Sequence, residues 1–181
     1  MPLSRENQFA RRGRNVPRVF IGIGSNVEPE HNIASGIAQL RAAFGLIVCS
    51  PVYTNPAAGF VGDDFYNLVV GFDTVLAVDA IVARLREIEQ AHGRQRGDAK
   101  FAPRTLDLDL LTYGDTVLTT AQLTLPRADI LEYAFVLRPL ADIAPHERHP
   151  LTQATYRELW QHRERESVPM TQVADFLSAS K

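Results

Sequence analysis

The sequence predicts an α+β fold of the ferredoxin-like kind, β-α-β-β-α-β, in which four antiparallel strands carry helices on one face. Three observations carry that prediction. Short apolar runs bounded by Gly, Asn and Pro recur at strand length, two longer stretches space their apolar residues at three and four, and the two kinds of segment follow one another in that order.

Val19-Phe20-Ile21-Gly22-Ile23-Gly24 is a continuous apolar run that closes on Ser25-Asn26, a buried strand entering a turn. Residues 29–44 place Ile33, Ile37, Leu40 and Phe44 on one helical face, with Pro29 at the start and Gly45 just past the end. Leu46 to Tyr53 reads as the second strand, stopped by Asn55-Pro56, and Asn67 to Thr74 as the third. Residues 77–92 form an amphipathic helix with Ile81, Leu85 and Ile88 inward and charges elsewhere, ended by Gly93. After a polar, basic stretch, Ala102-Pro103-Arg104-Thr105-Leu106-Asp107-Leu108-Asp109-Leu110-Leu111 alternates leucine with aspartate and reads as the fourth strand. The remainder predicts an extra hairpin, Thr116–Leu118 with Leu123–Leu125, and C-terminal helices near 129–140 and 152–162.

Composition narrows the function classes. The chain is 45% hydrophobic and 22% charged with a net charge of −2, which predicts a globular protein without the global basic field of a nucleic-acid binder. The single cysteine, Cys49, cannot form an internal disulfide and suits a reducing cytoplasm. No apolar run reaches bilayer length, so no membrane partner is expected. Residues 1–17 carry Arg5, Arg11, Arg12 and Arg14 among Gln, Asn, Gly and Pro, and read as a flexible basic tail.

The chemistry concentrates around the Asp-rich strand. Residues i and i+2 of a strand share a face, so Asp107 and Asp109 project together while Leu106, Leu108 and Leu110 turn to the core. Adjacent carboxylates call for a cation between them, and Mg²⁺ shared with substrate phosphates is the usual answer for oxygen ligands. Just upstream lie Arg94, Arg96, Lys100 and Arg104, groups suited to phosphate oxygens. Gly22 and Gly24 do not make a phosphate loop, since no Gly-Lys-Ser/Thr follows; they read as sites of close backbone packing at the sheet centre. Phe65, Asn67, Phe135 and the Asn55-Pro56 corner would suit a planar heterocycle, rings for its faces and amides for its edge. His146 and His149 have no nearby cysteine and do not read as a zinc site.

With these residues the chain resembles the 6-hydroxymethyl-7,8-dihydropterin pyrophosphokinases, folate-pathway enzymes that move pyrophosphate from ATP to a pterin alcohol. The most specific match is Pro103-Arg104-Thr105-Leu106-Asp107-Leu108-Asp109. Gly24-Ser25-Asn26, Tyr53 with Asn55-Pro56, Phe65-Tyr66-Asn67, Glu89 with Gly93-Arg94, and Phe135 to Leu140 support it. The resemblance implies two Mg²⁺ ions on Asp107 and Asp109, with Arg94 and Arg104 as catalytic arginines. It implies a pterin site of Asn55, Pro56, Ala58, Phe65, Asn67, Phe101 and Phe135, and nucleotide contacts from Glu89, Arg96, Lys100 and Arg127. The chain departs from the family pattern at Arg127-Ala128, where a histidine and then an aromatic or proline are usual. It departs again at Tyr133, where an arginine is usual, and at Asn55 and Arg86, where threonine and glutamine are common.

The leading expectation is therefore an ATP- and Mg²⁺-dependent pyrophosphokinase with its domain at residues 18–162, acting on small molecules in the cytoplasm, with nothing that requires more than a monomer. The alternative is a divergent paralogue that binds pterin or nucleotide with weak or altered transferase activity. Residues 163–181 form an extension in which Val173, Phe176 and Leu177 predict a short docking helix.

Overall fold

The computed structural model describes residues 16–55, 64–93, 104–164, 170–174 and 176. Its central feature is a six-stranded sheet in which every pairing is antiparallel. Strand β1 (Arg18–Ser25) leads into α1 (Pro29–Phe44), followed by β2 (Val48–Cys49), β3 (Val52–Asn55) and β4 (Phe65–Asp73). Helix α2 (Val78–Ala91) then leads to β5 (Asp107–Tyr113). The sheet order is β5-β1-β4-β3-β8, with β2 also on β4. Taking β2 and β3 together as one strand, the first four places are those of the predicted ferredoxin-like core.

The expected second strand is broken because it contains Ser50-Pro51, and proline has no N–H to give to a ladder. The buried Ser50 bridges the break. Its N–H donates to the Val69 carbonyl (2.9 Å), and its hydroxyl accepts from the Val69 N–H (3.0 Å). The expected fourth strand is also shorter than its leucine pattern: pairing begins at Asp107, and Arg104 and Thr105 bond instead to Asn26 and Ser25 at the end of β1.

Beyond β5 come the small hairpin of β6 (Leu118–Thr119) and β7 (Thr124–Leu125), then α3 (Asp129–Glu132), α4 (Ala134–Ile143) and α5 (Tyr156–Glu164). The helix expected near 129–140 is thus two, divided at Tyr133, whose extended backbone (φ −120°, ψ 124°) breaks it. The C-terminal extension corrects a prediction. At Thr171–Val173 it is a strand, β8, laid antiparallel on β3, and not a helix; Val173 and Phe176 still pack on the core.

Period-2 alternation gives the sheet two buried faces. Val19, Ile21, Ile23, Leu108 and Leu110 pack under α1 and α2 with Ile33, Leu40, Ile81 and Leu85. Phe20, Val69 and Leu111 face the other way, against Leu137 and Leu140 of α4 and Tyr156 of α5. Tyr53 fastens α4 to the sheet, donating its hydroxyl to Asp142 (2.6 Å) and accepting from Arg138 Nε (3.2 Å). Helix α1 ends at Gly45, whose φ of 82° only glycine adopts without strain. Among the described residues, no helix is long and apolar enough to cross a membrane.

His149, 1% exposed, organises the link between α4 and α5. Its Nδ1 faces two backbone donors, the N–H groups of Leu151 and Thr152 (both 3.3 Å), so Nδ1 is the unprotonated acceptor. The ring stands edge-on to Tyr156, and its burial lowers its pKa. It is therefore neutral in the fold. Its contribution to stability is complete above the unfolded pKa of about 6.5 and is lost as pH falls toward the depressed folded value. We expect the melting temperature to fall between about pH 7.5 and about pH 5.5, and to fall less in His149→Gln, which has no such group to titrate; thermal denaturation of both proteins checks this.

Candidate active site

The second sheet face has a gap in its side chains. Along β1, Phe20 fills that face, but the next two positions on it are Gly22 and Gly24. Gly24 pairs with Asp107 on one side and Asn67 on the other, while Gly22 pairs with Asp109 and Val69. Over this bare strip opens a cleft of about 530 Å³, walled by the carboxylates of β5, by Asn55, Phe65 and Asn67 from β3 and β4, and by Arg127, Asp129, Tyr133, Phe135 and Val136. The glycines thus do more than allow close packing. A Cβ on Gly22 would make only ordinary contact with Leu111 (3.5 Å), whereas one on Gly24 would press on Asn67 Oδ1 at 3.2 Å.

The acidic wall is held by two guanidinium groups. Arg104 Nη1 donates to Asp107 Oδ2 at 2.7 Å. Arg127 Nη1 lies 3.2 Å from Asp109 Oδ1, and its Nε donates to Asp129 Oδ2 at 2.5 Å. Burial alone would lower the Arg127 pKa, but Asp109, Asp129 and Asp107 together raise it above its usual value. The Asp107 and Asp109 side chains remain 22% and 40% exposed. Pairs this open to water are each worth at most about 1 kcal/mol, so they orient the carboxylates more than they stabilise the fold.

This donor set fits Mg²⁺. Among the described residues no group of three or more His, Cys, Asp or Glu could cage a metal. A carboxylate pair facing an open cleft is what an ion needs when substrate phosphates complete its shell.

Behind the wall, short polar ties fix the start of β5. Asn26 Oδ1 accepts from the Arg104 N–H (2.7 Å), and the Arg104 carbonyl accepts from the Asn26 N–H (3.0 Å). The hydroxyl of buried Ser25 donates to the Thr105 carbonyl (2.6 Å), and the Thr105 hydroxyl to the His92 carbonyl (2.6 Å). Glu89 reaches across from α2, where its Oε1 accepts the Leu108 N–H at 2.8 Å. That N–H belongs to the residue between the two aspartates, on the outer strand of the sheet.

The opposite wall is aromatic and amide-bearing. Asn67 Nδ2 donates to Asn55 Oδ1 at 2.5 Å, and the Tyr133 and Phe135 rings stack with centroids 5.0 Å apart.

A family model described as 7,8-dihydro-6-hydroxymethylpterin-pyrophosphokinase (HPPK) matches residues 20–145. The chain belongs to this family. The 2-amino-4-hydroxy-6-hydroxymethyldihydropteridine pyrophosphokinase of Synechocystis sp. is 39% identical over 142 residues, 77% of this chain and 72% of that one. The enzyme of the same name from Pseudomonas aeruginosa is 37% identical over 139 residues, 75% of this chain and 85% of its own. In fold, the chain is similar to Plasmodium falciparum HPPK-DHPS solved with pteroate (TM-score 0.66, 13% identity). That match covers 87% of this chain and 44% of the longer one.

Against HPPK expectations, the cleft brings together Asp107, Asp109, Arg104, Asn55, Phe65, Asn67, Phe135 and Arg127. Pro56, Ala58, Arg94, Arg96, Lys100 and Phe101 lie outside the described residues. Glu89 is buried behind β5 and does not line the cleft among the described residues. Asp129, a third carboxylate facing the cleft, was not anticipated; its signal is its place two residues after Arg127 in Arg127-Ala128-Asp129. Removing the Glu89 acceptor strands a buried N–H in the strand that carries the two aspartates. Glu89→Ala should therefore cost about 1–3 kcal/mol of stability in urea denaturation, and Glu89→Gln, which keeps an acceptor oxygen, clearly less.

Proposed function

We propose that this HPPK chain transfers the pyrophosphoryl group of ATP to 6-hydroxymethyl-7,8-dihydropterin, in folate biosynthesis. The observation that carries the reading is that the carboxylate pair of β5 and the amide and aromatic groups of β3, β4 and α4 open into one cleft. In the reaction the hydroxymethyl oxygen bonds to the β-phosphorus in line, the bond from that phosphorus to the α,β-bridging oxygen breaks, and AMP leaves as the hydroxyl proton is lost.

On this reading the chain works by placement. Phe65 and Phe135 take the faces of the pterin, and Asn55 and Asn67, already bonded to each other, present donor and acceptor atoms to its edge. Holding acceptor and nucleotide in one geometry removes much of the entropic barrier to their meeting. Arg104 and Arg127 turn guanidinium groups toward the phosphate oxygens, where charge builds as the bond to AMP breaks. Arg94, Arg96 and Lys100 are assigned to the same phosphates by family resemblance. Asp107 and Asp109 would hold Mg²⁺, two ions on the family pattern, which would supply charge neutralisation and orientation of the phosphates.

The decisive assay is AMP release from ATP and Mg²⁺ with and without the pterin. We expect pterin-dependent AMP formation, lowered at least about a hundredfold in Asp107→Ala and in Asp109→Ala with the far-ultraviolet spectrum unchanged; near-normal turnover in either variant removes the metal assignment. Gly24→Ala tests the pterin wall separately. The added methyl presses on Asn67 at 3.2 Å, so the KM for pterin should rise about tenfold while that for ATP holds. A parallel rise in both constants would place the pterin elsewhere.

A further inference from the structure

Arg127 sits against Asp109, one of the two carboxylates proposed to hold the metal. Its backbone N–H donates to the Leu111 carbonyl of β5 (2.9 Å), which seats its Cα beside the strand that carries Asp109. From there one guanidinium spans two carboxylates, Asp109 Oδ1 at 3.2 Å from Nη1 and Asp129 Oδ2 at 2.5 Å from Nε. A divalent ion approaching Asp109 meets this positive charge first. The two cations repel, and Arg127 already holds one of the two Asp109 oxygens.

We propose that Arg127 is a counter-cation lock on Asp109, competing with the divalent metal and released by nucleotide. The proposal rests on the pyrophosphokinase reading and adds to it an order of loading. A bare ion has nothing to offer the displaced guanidinium. An ion that arrives with a triphosphate brings oxygens that take the place of Asp109 as the arginine's partner, while Asp129, only two residues along the chain, keeps the side chain at the cleft. Metal and nucleotide therefore bind cooperatively, and by linkage each strengthens the other by the same factor. Before nucleotide arrives Arg127 acts on the metal through Asp109; once released it meets the phosphates directly. It gives a role to an arginine at a place where the resemblance leads one to expect histidine, which lacks the permanent charge and the forked donors of a guanidinium.

The test uses Mn²⁺ as the probe, with free ion counted by electron paramagnetic resonance, and α,β-methylene ATP as a nucleotide that cannot be split. In Arg127→Gln we expect Mn²⁺ alone to bind about fivefold tighter than in the unaltered protein. The factor by which the nucleotide tightens Mn²⁺ should shrink by at least as much. Arg127→Lys keeps a charge but not the fork and should fall between the two, which guards against a folding defect in the first variant. Equal Mn²⁺ affinity of Arg127→Gln and the unaltered protein without nucleotide overturns the lock, as does an unchanged coupling factor. Either result alongside pterin-dependent AMP release by the unaltered protein sinks the lock alone; failure of that protein to release AMP sinks the underlying reading.

Discussion

Strand β1 is hydrogen-bonded along both edges, to β5 on one side and β4 on the other, and the register of those two ladders governs the site. Because Gly24 stands opposite both Asp107 and Asn67, an acidic group and an amide group are held on either side of a position with no side chain. A slip of one residue in the β5 ladder would turn the aspartates into the core and the leucines into the cleft, and one in the β4 ladder would turn Asn67 away from the cleft. Ile21 and Ile23, buried under α1 and α2, make such a slip costly. The same leucines and isoleucines that hold the fold together thus set the geometry of the chemistry.

The electrostatic design is one of balanced charge rather than deep burial. Asp107, Asp109 and Asp129 are each met by a guanidinium, yet all remain partly open to water. Such pairs can be exchanged for others at small cost, which suits the metal and phosphate ligands proposed for the site. The rigid part lies one layer back, where Ser25, Asn26, Thr105 and Glu89 bond to backbone atoms around β5.

Much of this was legible in the residues. The Leu-Asp alternation at 106–110 placed the carboxylates on one face correctly, because strand period is a local property. The order of elements gave the core topology for the same reason. What could not be read was whatever depends on distant partners. Nothing local marks Glu89 as the acceptor for Leu108, or Ser50 as the bridge across a proline break. His149 looked unremarkable as a sequence position and proves to be a buried neutral cap, since its role depends on the turn that folds Leu151 and Thr152 back over it. The C-terminal apolar residues suggested a helix, but an unpaired strand edge on β3 offered backbone partners that a short helix could not match.

That last pairing reaches further than the tail itself. Strand β3 leads to Asn55 at the cleft, and β8 covers its outer edge, with Thr171 opposite Thr54. An outer strand left bare is a template on which a second molecule can lengthen the sheet. By lying there, Thr171–Val173 replaces the β3 edge with a strand of only three residues, a shorter template for self-association at the corner that leads to Asn55.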